Sequence, residues 1–167
     1  MANVRLIFYG CPKVGDVGVK ALGEGLGSLK NLANVSLSFN CCPQVGDVGV
    51  KALGEGLGSL KNLTNVDLGF ACCQAVGDVG VKALGEGLGS LKNLTNVDLG
   101  FEACKVGDVG VKALVEGLGS WKNLTNVALG FDRCEVGDVG VKALGEGLGS
   151  LKNLTNVDLG FKSETSE

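Results

Sequence analysis

The chain predicts an α/β solenoid, a curved horseshoe segment with parallel β-strands on its concave side and short helices on its convex side. Three observations carry this expectation. The phrase Val-Gly-Asp-Val-Gly-Val-Lys-Ala-Leu opens at Val14, Val45, Val76, Val106 and Val136, a period of 31, 31, 30 and 30 residues. A fixed period of this size marks a unit that cannot bury its own apolar face and stacks on its neighbours. Each unit also holds a stretch such as Asn65-Val66-Asp67-Leu68-Gly69-Phe70, where apolar and polar residues alternate as in a half-buried strand. Between strands, apolar residues recur at three and four positions, the stripe of an amphipathic helix.

Six strands are expected near residues 4–8, 35–39, 66–70, 97–101, 127–131 and 157–161, with five short helices between them. Each unit returns to its start through a crossover, so the strands run parallel. In the unit from Val45 to Phe70, Val66, Leu68 and Phe70 point inward, while Asn65, Asp67 and Gly69 point to the open face. The helix of that unit carries Val50, Leu53 and Leu57 on one stripe, and Asp47 reads as its N-cap. Gly54, Gly56 and Gly58 weaken it by about 1 kcal/mol each against alanine, which predicts about two turns held by packing. The same small residues let neighbouring helices approach closely. Residues 1–161 are thus expected to form one array of five helix-bearing repeats plus a final strand, and residues 162–167 a short flexible tail.

Asn-Val-x-Leu-x-Phe, a cysteine-containing turn, Val-Gly-Asp-x-Gly-Val-x-Ala-Leu and Leu-x-x-Leu recur in register over residues 3–161. This pattern resembles leucine-rich repeats with helical convex sides, and is similar to their ribonuclease-inhibitor-like class. The cysteine placement is similar to that of the cysteine-containing class found in F-box proteins. The resemblance implies a curved parallel sheet and protein binding as the usual task, with no catalytic residues to carry over. Two departures stand out. The turn after the strand is a residue or two longer than usual. The asparagine expected after the strand is Asn40 once, and otherwise Tyr9, Ala71, Glu102 or Asp132.

Composition narrows the function. The 167 residues are 45% hydrophobic and 20% charged, a composition that folds, and the formal net charge of -3 is too mild to argue for nucleic acid or an anionic membrane. No apolar run approaches the ~18 residues needed to span a bilayer, so no membrane insertion is expected. The opening Met1-Ala2-Asn3-Val4-Arg5 lacks the layout of a signal peptide, as an internal fragment of a longer chain would. Histidine is absent, which removes the commonest general base, and no irregular acid–base cluster replaces it. The expectation is a non-enzymatic protein without cofactor or metal.

Seven cysteines sit at repeat-locked positions: Cys11, Cys42, Cys73, Cys104 and Cys134 one per unit, with Cys41 and Cys72 beside two of them. The odd count and parallel side-chain directions predict a ladder of reduced, mostly buried thiols, and hence the cytoplasm or another reducing intracellular compartment. A zinc site from Cys41, Cys42, Cys72 and Cys73 is disfavoured, because adjacent residues point to opposite faces and the C-x-x-C spacing is missing. Gly-Glu-Gly-Leu-Gly, first at residues 23–27, matches neither phosphate-loop pattern and lies at a helix end that disfavours anions. Asn62-Leu63-Thr64 and its copies match a glycosylation sequon, but copying one unit copies its sequon. Lys20 and Glu24, with their copies, read as a solvated convex face.

The concave face is the candidate interaction surface. Its columns are an asparagine row through Asn65, Asn96, Asn126 and Asn156, then a row of Arg5, Ser36, Asp67, Asp98, Ala128 and Asp158, then nearly bare glycine. The candidate binding residues are Arg5, Ser36, Asn65, Asp67, Asn96, Asp98, Asn126, Asn156 and Asp158. Asp67 and Asp98 alone are too few for calcium. The face is monotonous and short of aromatic anchors, so either it binds weakly, or it binds something extended and repetitive, or binding lies at the ends and loops. The function expected is a scaffold for protein–protein interaction or assembly. The alternative is a structural spacer, or a subunit or fragment of a larger complex, that self-associates end to end through its exposed strand edges.

Overall fold

The structure, a computed structural model, describes residues 2–163. In chain order the elements are β1 (Ala2–Ile7), α1 (Asp16–Gly27), β2 (Leu32–Ser38), α2 (Asp47–Gly58), β3 (Asn65–Gly69), α3 (Asp78–Gly89), β4 (Asn96–Gly100), α4 (Asp108–Leu118), β5 (Asn126–Gly130), α5 (Asp138–Gly149) and β6 (Asn156–Gly160). The strands form one unclosed parallel sheet in the order β1 to β6. Register is repeat on repeat: Val35 pairs with Val66, Val66 with Val97 and Val97 with Val127. Strands β3 to β6 begin and end a residue earlier than the alternation predicts. Phe70 falls just past β3, yet its N–H still donates to the Gly100 carbonyl at 2.8 Å, so hydrogen bonding outlasts the regular strand.

The core lies between sheet and helices. Val66, Leu68 and Phe70 of the sheet side and Val81, Leu84, Leu88 and Leu91 of the helix side are all buried in one continuous apolar cluster. Phe8, Phe39, Phe70, Phe101, Phe131 and Phe161 stack in a continuous spine, with ring centroids 5.3–5.8 Å apart. Separations in this range are those of favourable aromatic pairs, worth about 0.5–1.5 kcal/mol each beyond burial. Past the spine the chain reverses through a left-handed residue in every repeat: Gly10, Cys41, Cys72, Ala103 and Arg133 have φ between 57° and 63°. Their N–H groups keep the ladder going, as Cys41 N–H to Ala71 O at 2.7 Å shows.

The helices run to 11 or 12 residues, three turns rather than the expected two. Their glycines are contact points: a Cβ on Gly56 would lie 2.1 Å from the carbonyl oxygen of Gly23 in the neighbouring helix. Close backbone approach thus compensates for poor propensity. Asp47 also departs from expectation, since Gly46 occupies the N-cap and Asp47 makes no bond to its own helix. Its Oδ1 instead accepts from the N–H groups of Gly77 and Gly80 in the next repeat, at 2.7 and 3.0 Å. The N-termini of α2 to α5 thus each receive the aspartate of the preceding repeat. At the other end Ser59 Oγ bridges the carbonyls of Gly56 and Gly27 at 2.7 and 3.1 Å, satisfying orphan acceptors of two helices together. The sequon asparagines have a structural task as well, Asn62 Nδ2 donating to Lys30 O at 3.0 Å and Asn93 Nδ2 to Lys61 O at 2.9 Å.

All seven cysteines are free thiols here. Cys42, Cys73 and Cys104 are buried, whereas Cys11 and Cys134 at the outer repeats are only half-buried because a covering layer is missing on one side. Cys73 and Cys104 donate to the carbonyls of Phe39 and Phe70 at 3.0 Å. Burial pushes the Cys73 thiol up to about 11 and that of Cys104 well above its ordinary value. Lys162 is tied down, its N–H donating to Asp132 Oδ1 at 2.7 Å and its carbonyl accepting from Arg133 N–H at 2.6 Å. Of the expected tail, residues 164–167 lie outside the described residues. No helix among the described residues is long and apolar enough to cross a membrane.

Candidate functional site

Strict repeat-on-repeat register brings all nine candidate residues onto the concave sheet in two rows. The first runs Asn3, Asn34, Asn65, Asn96, Asn126 and Asn156, each directly opposite the next. Each Nδ2 donates to the Oδ1 of the preceding asparagine. From Asn65 to Asn126 a second contact to the adjoining threonine, such as Asn96 Nδ2 to Thr95 Oγ1 at 3.0 Å, fixes the amide orientation. With its donors and acceptors engaged along the stack, this row is a rigid rail.

The second row runs Arg5, Ser36, Asp67, Asp98, Ala128 and Asp158. Ser36 Oγ donates to Asp67 Oδ2 at 2.8 Å. Arg5 stands two strands from Asp67, with Ser36 between them, so it marks the end of the row. Asp67 and Asp98 face each other on adjacent strands, a like-charge pairing that destabilises a sheet. Desolvation, and then the charges of Asp67, Glu102 and Asp158, raise the Asp98 carboxyl above its ordinary value. Ala128 interrupts the row and relieves Asp98 of a second direct carboxylate neighbour.

The third column differs from the bare glycine expected. The residue just past the spine folds back over it. A Cβ on Gly69 would lie 2.8 Å from Asn40 Oδ1, on Gly130 2.1 Å from Glu102 Oε1, and on Gly160 2.9 Å from Asp132 Oδ1. Glycine is there because a neighbour's polar side chain occupies the space. Glu102 and Asp132 therefore join the face, and reading them only as substitutes for a missing asparagine hides this. Asn40 Oδ1 also accepts from Ala71 N–H at 2.8 Å, and no continuous asparagine ladder exists at this position. The rows over β3 to β6 enclose an open groove of about 540 Å³ that includes Asp67, Asp98 and Asp158.

A second surface feature escaped the periodicity argument. Val17, Val48, Val79, Val109 and Val139, each second in its helix, form a row on the outside and are 62–87% exposed. The apolar stripe through Val50, Leu53 and Leu57 is buried, so these valines lie off it.

A family model described as a leucine-rich repeat matches residues 35–54, the span from β2 into α2. No curated protein matches the chain. Among solved structures, one titled as actin-binding site 2 of leiomodin-1 is similar over 93% of this chain and 83% of its own, with a TM-score of 0.62 and 15% sequence identity. An internalin from Listeria monocytogenes covers 83% of this chain, which spans 45% of that protein, with a TM-score of 0.37 and 19% identity. The first likeness bears on the fold, an open solenoid of parallel strands and convex helices.

Proposed function

We propose, from the premise that the chain is a leucine-rich-repeat protein, that it is a non-enzymatic scaffold binding another protein across its concave face. The observation that carries this reading is the acidic row. Asp67, Asp98 and Asp158 stand on one side of a rigid asparagine rail, with Glu102 folded in beside them. Crowded carboxylates on a sheet are unfavourable alone and become favourable opposite cations. The ligand that fits is an extended segment whose flexible basic side chains reach the carboxylates of the row. The actin-binding title of the structural neighbour is not carried over, since likeness at 15% identity concerns fold. A reducing intracellular compartment suits this reading, given an odd set of repeat-locked thiols.

The test compares the wild-type chain with the triple variant Asp67→Ala, Asp98→Ala, Asp158→Ala in quantitative capture at rising salt. The variant is expected to bind the captured partner more weakly and with a shallower salt dependence. Unchanged affinity would move the site to the valine row or the ends.

A further inference from the structure

The internal junctions between repeats share an aspartate-to-amide contact. All but the one between α4 and α5, where Val115 replaces glycine, also share a glycine-to-glycine contact, and the outer faces of the array each carry one half of that junction. Within the array, Asp78 Oδ1 accepts from Gly107 and Gly110 N–H at 2.8 and 3.0 Å, and Asp108 Oδ1 from Gly137 and Gly140 N–H at 2.8 and 2.9 Å. The carboxylate enters because the receiving residue has no side chain: a Cβ on Gly110 would lie 2.5 Å from Asp78 Oδ1. Nearby the helices touch backbone to backbone, a Cβ on Gly87 falling 2.3 Å from the Gly54 carbonyl oxygen.

On the face of the first repeat, Gly18 and Gly25 occupy the positions of Gly110 and Gly87, yet among the described residues nothing would lie within 4 Å of a Cβ on either. Beside them Phe8, Val14, Val19 and Leu22 line an apolar hollow of about 560 Å³. On the face of the last repeat, Asp138 corresponds to Asp78 and Asp108 but meets no donor among the described residues. A Cβ on Gly145, the counterpart of Gly54, would likewise have nothing within 4 Å among the described residues. Val141, Val157 and Phe161 are 51%, 49% and 37% exposed there, where their counterparts inside the array are at most 2% exposed. One face thus offers amide donors and a hollow; the other offers a carboxylate and apolar side chains.

We infer that these two faces bind each other between copies of this chain, the first repeat of one copy seating on the last repeat of another in the register used internally. Asp138 would accept from the Gly15 and Gly18 N–H groups of the second copy, and Phe161 would extend the spine onto its Phe8. The contact is heterologous, leaves a free face at each end and need not close, so it propagates. Asp67 and Asp98 of the concave row lie inside the array and outside both faces; Asp158 lies on the edge strand β6 and would stand opposite Arg5 of the second copy in the internal register.

Sedimentation velocity over a wide concentration range tests this on the full chain with two blocked variants. Gly25→Leu fills the first face and Gly145→Leu the last; both positions are open within a single copy, so each variant is expected to keep the wild-type circular dichroism. Gly18→Glu, which sets a carboxylate against Asp138, serves as a second block of the first face. The wild-type mass is expected to rise with concentration past twice the 16.9 kDa monomer, while each variant alone stays monomeric. An equimolar mixture of Gly25→Leu and Gly145→Leu keeps one good face of each kind, so it is expected to stop at the dimer. A monomeric wild-type chain, variants that associate like it, or a mixture that remains monomeric would overturn the proposal.

Discussion

At the scale of single residues, Asp98 is where the needs of the sheet and of the surface diverge. Its carboxyl is raised by desolvation and by neighbouring acids, so the folded state holds its proton to higher pH than the unfolded chain does. Stability from this group is therefore greatest below the unfolded value and falls as pH rises through the folded one. Asp98→Asn is expected to stabilise the fold at neutral pH by on the order of 0.2–1 kcal/mol, from the lost like-charge pairing, and so to raise the melting temperature. The gain should vanish when both states are protonated, below about pH 4; thermal melts of both proteins across pH check this. The acidic row itself is legible from Asp67, Asp98 and Asp158 at one strand position. Glu102 and Asp132 are not, because a side chain folding back over the next strand's glycine is a relation in space between repeats. The glycine column holds that information, since a position emptied in rung after rung signals something lying over it.

At the scale of elements, the helix junction carries the lesson. Asp47 beside a helix start reads as that helix's cap, and only stacking reveals that its carboxylate serves the following helix. Asp47→Ala strips an acceptor from Gly77 and Gly80 N–H and is expected to destabilise the fold by about 1–3 kcal/mol. Asp138→Ala removes the same residue from the same local sequence where no repeat receives it, and should change stability by less than about 0.5 kcal/mol. Urea midpoints of the two variants, measured at a concentration where the chain is monomeric, make the comparison; equal effects would return the aspartate to its own helix. The helices exceed the two turns that their glycines predict, for a related reason. Glycine costs its full penalty in an isolated helix, whereas here Gly23, Gly54 and Gly85 let neighbouring backbones meet. The exposed valine row lies off the apolar stripe, so helical periodicity does not point to it.

At the scale of the whole molecule, the period alone was enough for the parallel sheet, the strand order and the inward-facing residues. A translation by one repeat maps Val66 onto Val97 and Leu68 onto Leu99 with little change in surroundings. The same translation erases landmarks. A strand that pairs one whole repeat out of place during folding meets the same Asn-Val-x-Leu-Gly edge as it meets correctly, and little in the interface reports the error. Among the buried side chains two break the sameness: Trp121, its Nε1 donating to Leu88 O at 2.8 Å, stands where other repeats have leucine, and Val115 stands where they have glycine. They act as a key cut into one tooth of the buried rack. Refolding from urea, followed by the fluorescence of that single tryptophan, is accordingly expected to show a slow phase as misregistered chains unzip and try again. That phase should survive replacement of Pro12 and Pro43 by alanine, which sets it apart from proline isomerisation; a single exponential would mean that the two odd side chains suffice to count the rungs at the first attempt.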